Sequence, residues 1–120
     1  ILRNYEYYPG EIDFELFKSE LKSIEGTHDF TSLTKTNTLD NTRTIFKVKF
    51  VENDHYLYVY ITGSGFLRYM VRNIIATAVT VAKKRTPYSM MQIIKMKDNT
   101  SIKEIAPPSG LYMNKVEYYD

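Results

Sequence analysis

The sequence predicts an α+β domain in which helices pack on one face of a largely antiparallel β-sheet. Three observations carry that expectation. Two runs rich in β-branched and aromatic residues, Thr44 to Val51 and His55 to Thr62, are separated only by Glu52, Asn53 and Asp54, the spacing of a hairpin. Three other stretches repeat apolar residues at the helical period. Strands and helices do not alternate in the regular way that parallel βαβ units require.

The first element is a short strand, Arg3 to Tyr8, where Tyr5 and Tyr7 alternate with Asn4 and Glu6 until Pro9-Gly10 breaks the run. A helix follows, with Asp13 as N-cap, Phe14, Phe17, Leu21 and Ile24 on the buried side, and Gly26 as the left-handed stop. Glu15, Lys18, Lys22 and Glu25 mark the solvated side. Thr31 to Thr42 is dominated by Thr, Asn, Ser and Asp, which favour turns and local side-chain bonds, and reads as a loop.

In the hairpin, a two-residue Asn53-Asp54 turn places Phe50 opposite Leu57, Val48 opposite Val59 and Phe46 opposite Ile61. Phe46, Val48 and Phe50 then face the helices. Lys47 and Lys49 share the other face with Tyr58 and Tyr60, and that face is either an RNA-contacting surface or simply the wet side.

Gly63-Ser64-Gly65 opens a long helix from Phe66 to about Lys83, built on Leu67, Met70, Val71, Ile74, Ile75, Ala78, Val79 and Ala82. Its remaining arc, Tyr69, Asn73, Ala76, Thr77 and Thr80, carries no charge, so the helix is expected to be covered on most sides, by the sheet on one and by another domain or a ligand on the other. Arg68 and Arg72 lie on the border, and Lys83, Lys84 and Arg85 close the helix in favourable alignment with its dipole. Ser89 to Lys97 is a shorter helix, and Ala106-Pro107-Pro108 with Gly110 forms a rigid elbow before a last strand from Leu111 to Tyr119.

At 120 residues the chain has the size of a single domain, residues 1–120. Its 43% hydrophobic and 25% charged residues are those of an ordinary globular protein, with no long apolar span and no secretory leader pattern. The absence of cysteine excludes disulfides, thiolate metal sites and a cysteine nucleophile, and the cytoplasm is the expected location. Ile1 is not an initiator methionine and the strand pattern starts at once, so the chain is expected to begin inside a longer protein. A formal charge of +2 is too small to diagnose a nucleic-acid partner by itself.

Little of the usual catalytic vocabulary is present. His28, read as part of a turn, and His55 are the only histidines and do not make a zinc set. No serine sits in a nucleophile elbow, and Gly63-Ser64-Gly65 fits neither the Walker nor the dinucleotide pattern.

Three segments in order are more specific: Gly26-Thr27-His28-Asp29-Phe30, then Gly65-Phe66-Leu67-Arg68-Tyr69-Met70-Val71-Arg72-Asn73-Ile74, then Ala106-Pro107-Pro108-Ser109-Gly110-Leu111-Tyr112 with Val116 and Tyr118 behind it. Together they resemble the C-terminal half of the TruA family of tRNA pseudouridine synthases, which runs G-x-H-D-F, F-L-x-x-M-V-R-N, A-P-x-x-G-L and a closing V-x-Y. Leu33, Ala76 and Ala82 depart from the aromatic and glycines common in that family.

The resemblance implies isomerisation of uridine to pseudouridine in the anticodon stem-loop of tRNA, without metal or organic cofactor, by a homodimeric cytoplasmic enzyme. It implies that the catalytic aspartate belongs to an N-terminal half absent from this chain, since no aspartate here is preceded two residues earlier by arginine. Arg72 matches the family arginine that pairs with that aspartate; its alternative reading is a structural salt bridge. Phe66, Leu67 and Leu111 match walls of the uridine pocket, with core packing as the alternative. Arg68, Lys83, Lys84 and Arg85 are candidate phosphate contacts or solvated surface. A rival to the enzyme reading is a non-catalytic RNA-binding or assembly domain that keeps the fold.

Overall fold

A computed structural model describes residues 2–6, 12–34, 40–52, 56–67, 69–98 and 111–115, with the backbone described at 2–6, 56 and 111–115. The elements in order are β1 (Leu2–Glu6), α1 (Phe14–Lys22), β2 (Gly26–Asp29), a 3-10 turn (Thr31–Leu33), β3 (Thr42–Glu52), β4 (Tyr56–Gly63), α2 (Met70–Ala82), α3 (Met90–Met96) and β5 (Leu111–Lys115). The five strands form one sheet in the order β2-β3-β4-β1-β5, and every neighbouring pair is antiparallel. Val48, Leu57, Val59 and Ile61 are buried beneath the helices, whereas Lys47, Lys49 and Tyr60 on the opposite face are exposed. This is the expected α+β arrangement.

α1 starts as its sequence predicts: Asp13 is extended and its carboxylate accepts the Leu16 N–H at 3.0 Å. The helix ends at Ser23 rather than being stopped by Gly26. Gly26, at φ +117°, instead opens β2, opposite Ile45. β2 is a strand where a turn was expected, with His28 paired to Arg43. Gly-Thr-His-Asp has no apolar alternation; the long neighbouring strand β3 supplies the ladder that holds it extended.

The hairpin forms, two residues out of the expected register. Phe50 lies opposite Val59, Val48 opposite Ile61 and Lys49 opposite Tyr60, and the last pair is Glu52 with Leu57. The connection is therefore longer than a two-residue turn; its residues 53–55 lie outside the described ones. A slip of two preserves the faces, so Val48 still points inward.

Phe46 is a correction. The ladder shifts between Ile45 and Lys47, and this bulge advances the pleat by one residue. Ile45 is 1% exposed and Phe46 is 64% exposed, so Ile45 takes the core position expected of Phe46.

Gly63 and Ser64 lock β4 to β3. A Cβ on Gly63 would meet the Thr44 carbonyl oxygen at 2.7 Å, which only glycine avoids. Ser64 then donates its N–H to that oxygen at 2.9 Å, and its hydroxyl accepts the Thr44 N–H at 3.0 Å. The strand end uses these residues for pairing.

α2 begins at Met70, four positions later than predicted, because Tyr69 adopts a left-handed conformation with φ 62°. Phe66 and Leu67 thus precede the helix instead of starting it. α2 is buried almost all round. The expected cover by another domain or ligand is corrected at Ala76 and Thr77: both are buried within this chain, where α1, α3 and the 3-10 turn pack on α2. Small side chains there allow close approach of neighbouring elements. Thr77 Oγ1 is buried without a hydrogen-bond partner among the described residues.

α3 has a capping box, in which Ser89 Oγ accepts the Gln92 N–H at 3.2 Å and Gln92 Oε1 accepts the Ser89 N–H at 2.8 Å. Glu20 of α1 also accepts the Met90 N–H at 2.9 Å, tying the two helices together. The predicted elbow and residues 116–119 of the last strand lie outside the described residues.

Candidate active site at the N-terminal end of α2

Two of the predicted site residues, Phe66 and Leu67, lie in the segment between β4 and α2, and a third, Arg72, lies in the first turn of α2. Phe66 is partly buried against the core and Leu67 is buried. The Leu67 carbonyl accepts the Met70 N–H at 3.0 Å and the Tyr69 carbonyl accepts the Asn73 N–H at 2.9 Å. Arg72, the third residue of α2, is exposed. Among the described residues it makes no salt bridge. An exposed guanidinium without a salt bridge among the described residues can hold a carboxylate or phosphate by two parallel N–H bonds.

The basic residues that follow α2 lie elsewhere. Lys83, Lys84 and Arg85 are at the far end of α2, about 16 Å along the axis from Arg72 at 1.5 Å per residue. Lys84 is left-handed at φ 57°, and the Lys84 and Arg85 N–H groups return to the carbonyls of Val81 at 2.9 Å and Thr80 at 3.1 Å. That turn leaves both side chains exposed. Leu111 opens β5 and pairs with Tyr5, which pairs in turn with Leu57. Arg68 lies outside the described residues.

The Gly26-to-Phe30 segment proves to be a brace. Asp29 Oδ1 accepts both the N–H of Thr31, at 3.0 Å, and its hydroxyl. Asn41 Nδ2 donates to Thr31 Oγ1 at 3.2 Å, and the Phe30 N–H donates to the Asn41 carbonyl at 3.0 Å. Phe30 and Leu33 are fully buried, so Leu33 fills its core position without an aromatic ring. Asn73, which sequence reasoning passed over as one polar residue of an uncharged arc, donates Nδ2–H to the Leu33 carbonyl at 3.0 Å. Its signal was there to read: asparagine is a poor helix former unless its amide has a backbone partner.

The titrations displaced from their ordinary values lie away from this site. The Val48 N–H and then the Lys22 ammonium hold the Glu25 carboxyl below its usual range, and the hydrogen bond that Lys18 donates to the Glu52 carboxylate raises Lys18. Among the described residues no group of three His, Asp or Glu side chains could hold a metal ion, and no helix is long and apolar enough to cross a membrane.

Comparison with known proteins agrees with the motif resemblance. A family model described as tRNA pseudouridine synthase matches residues 21–119. The chain is 44% identical over 123 residues to tRNA pseudouridine synthase A of a Geobacillus species, covering 99% of this chain and 49% of that protein. It is 38% identical over 120 residues to the proteins of that name from Clostridium acetobutylicum and Thermotoga maritima, covering 97% and 96% of this chain and 49% of each relative. The chain therefore spans about half the length of the curated relatives it matches, and it belongs to the tRNA pseudouridine synthase family.

Proposed function

We propose that this chain is the C-terminal half of a tRNA pseudouridine synthase whose N-terminal half carries the catalytic aspartate. The reaction breaks the bond between N1 of uracil and C1′ of ribose, turns the base and joins C5 to C1′; the proton lost from C5 is matched by one gained at N1, so atoms balance without a redox partner. The observation that supports the assignment is the exposed guanidinium of Arg72, without a salt bridge among the described residues, on the first turn of α2. In the complete enzyme it pairs with the catalytic carboxylate, keeps it ionised by charge attraction, and fixes its direction by bidentate bonding. Phe66 and Leu67 provide the apolar wall against which the flipped uridine rests, and Leu111 joins that wall when both halves are present.

Arg68, Lys83, Lys84 and Arg85 contact phosphates of the tRNA anticodon stem-loop. No metal or organic cofactor takes part, the enzyme acts as a homodimer, and it works in the cytoplasm. The test is Arg72→Lys in the full-length protein, with tRNA binding and pseudouridine formation measured separately. Turnover is expected to fall about 100-fold or more, on the scale of losing a preorganised electrostatic contact, with tRNA affinity nearly unchanged. Turnover within a few-fold of the parent would overturn the role of Arg72. The domain by itself is expected to form no pseudouridine; product from the pure domain would refute the assignment of the carboxylate to the other half.

A further inference from the structure

We propose that Asn73 is the positioning residue for Arg72: by clamping the carbonyl of Leu33 it fixes the first turn of α2 and so aims the guanidinium. This rests on the catalytic reading of Arg72 given above.

The need for a clamp follows from how α2 begins. α1 and α3 are each held at their N-terminus by a capping side chain, Asp13 and Ser89. α2 has none, for its N-cap is Tyr69, left-handed at φ 62° and without a side-chain cap bond. A residue with a Cβ is disfavoured in that conformation, and an uncapped first turn is the part of a helix that frays. Arg72 is the exposed residue of that turn, so the direction of its guanidinium depends on how the turn is held.

Asn73 supplies the missing restraint through its side chain. Its N–H makes the ordinary first helical bond to the Tyr69 carbonyl at 2.9 Å, and its side-chain amide donates to the Leu33 carbonyl at 3.0 Å. Leu33 is a fixed point. Its side chain is fully buried. The turn before it is braced by the Asp29 to Thr31 bonds and the Asn41 to Thr31 bond. Ser32, in the same turn, donates to the Ile94 carbonyl at 3.4 Å and accepts the Asp98 N–H at 3.0 Å, which ties the turn to the end of α3. Arg72 and Asn73 share a peptide bond, so a shift at Asn73 is a shift at Arg72, and misplacement by about 1 Å is enough to cost on the order of 100-fold in rate.

A double-mutant cycle in the full-length enzyme tests this, with Asn73→Ala, Arg72→Ala and the double variant assayed for kcat and KM on tRNA. Asn73→Asp, which keeps the shape of the side chain and lacks the donor, is run beside them, and thermal melting by circular dichroism checks that each is folded. Both Asn73 variants are expected to lower kcat about 10-fold to 100-fold with KM within about two-fold. The Asn73→Ala/Arg72→Ala variant is expected to be as slow as Arg72→Ala alone, because an aimed group that is absent cannot be misaimed. Multiplying losses would show that Asn73 acts independently of Arg72 and would overturn the proposal alone. Unfolding of both Asn73 variants would also overturn it, making Asn73 a residue of the fold. If Arg72→Ala is itself active, the catalytic reading of Arg72 has failed, and this inference falls with it.

Discussion

The bulge in β3 makes a quantitative claim about two adjacent residues. Strand alternation puts Phe46 in the core; the structure puts Ile45 there, at 1% exposure against 64% for Phe46. Ile45→Ala removes three buried carbons, worth about 2.4 kcal/mol at roughly 0.8 kcal/mol each. The cavity left behind raises the loss to about 3–4 kcal/mol. Phe46→Ala removes the larger side chain, but about a third of it is covered, and the expected loss is about 1 kcal/mol or less. Urea titrations followed by far-ultraviolet circular dichroism separate the two. With a slope of about 1.5 kcal/mol per molar, the midpoint falls by about 2 M for Ile45→Ala and by about 0.5 M for Phe46→Ala. A larger loss at Phe46 than at Ile45 would refute the bulge and restore uniform alternation.

Glu25 accepts the Val48 N–H at 2.7 Å, on the edge of β3 that lies beyond the reach of β2. With its pKa lowered in the folded state by that bond first and Lys22 second, its contribution is present above the ordinary value of 4.5 and is lost as pH falls through the folded value. Glu25→Gln is therefore expected to cost about 1 kcal/mol at pH 7, and the gap between the two proteins in a pH series of denaturation curves should close as the pH falls through the lowered folded value of Glu25. Asp29→Ala should cost about 1–2 kcal/mol and speed amide hydrogen exchange at Thr31, since both Thr31 donors lose their acceptor. Unchanged exchange there would mean that the carboxylate does not organise the turn.

The parts of the fold legible in the sequence are those where one local signal dominates. Asp13 announces its helix because its side-chain oxygen bonds a backbone N–H within three residues. The apolar faces of α1, α2 and the hairpin follow from period alone. β2 was illegible because its glycine and three polar residues are held by a partner strand distant in sequence. The start of α2 was misplaced because Phe66 and Leu67 fit the helical period, whereas the backbone at Tyr69 does not. The bulge at Ile45 has no signature in a run where either neighbour is apolar. At the candidate site, the motifs pointed to Arg72 and its apolar neighbours. They gave no hint that Gly26 to Phe30 braces the turn that holds Asn73, since that depends on hydrogen bonds between residues 29, 31 and 41.

The strand order also governs the sequence of folding events. β3 and β4 adjoin along the chain, and β1, α1 and β2 all precede them. β5 is different, for Tyr5 and Leu111 are neighbours in the ladder although most of the chain lies between them. Closing that contact carries the largest loop entropy in the sheet, and contacts of such long separation form late. During synthesis the β4–β1 ladder can assemble before Leu111 leaves the ribosome, and in that interval the outer edge of β1 offers unpaired backbone groups to any passing strand. The nascent domain is thus most vulnerable to misassociation at β1, and arrival of the final strand ends that exposure.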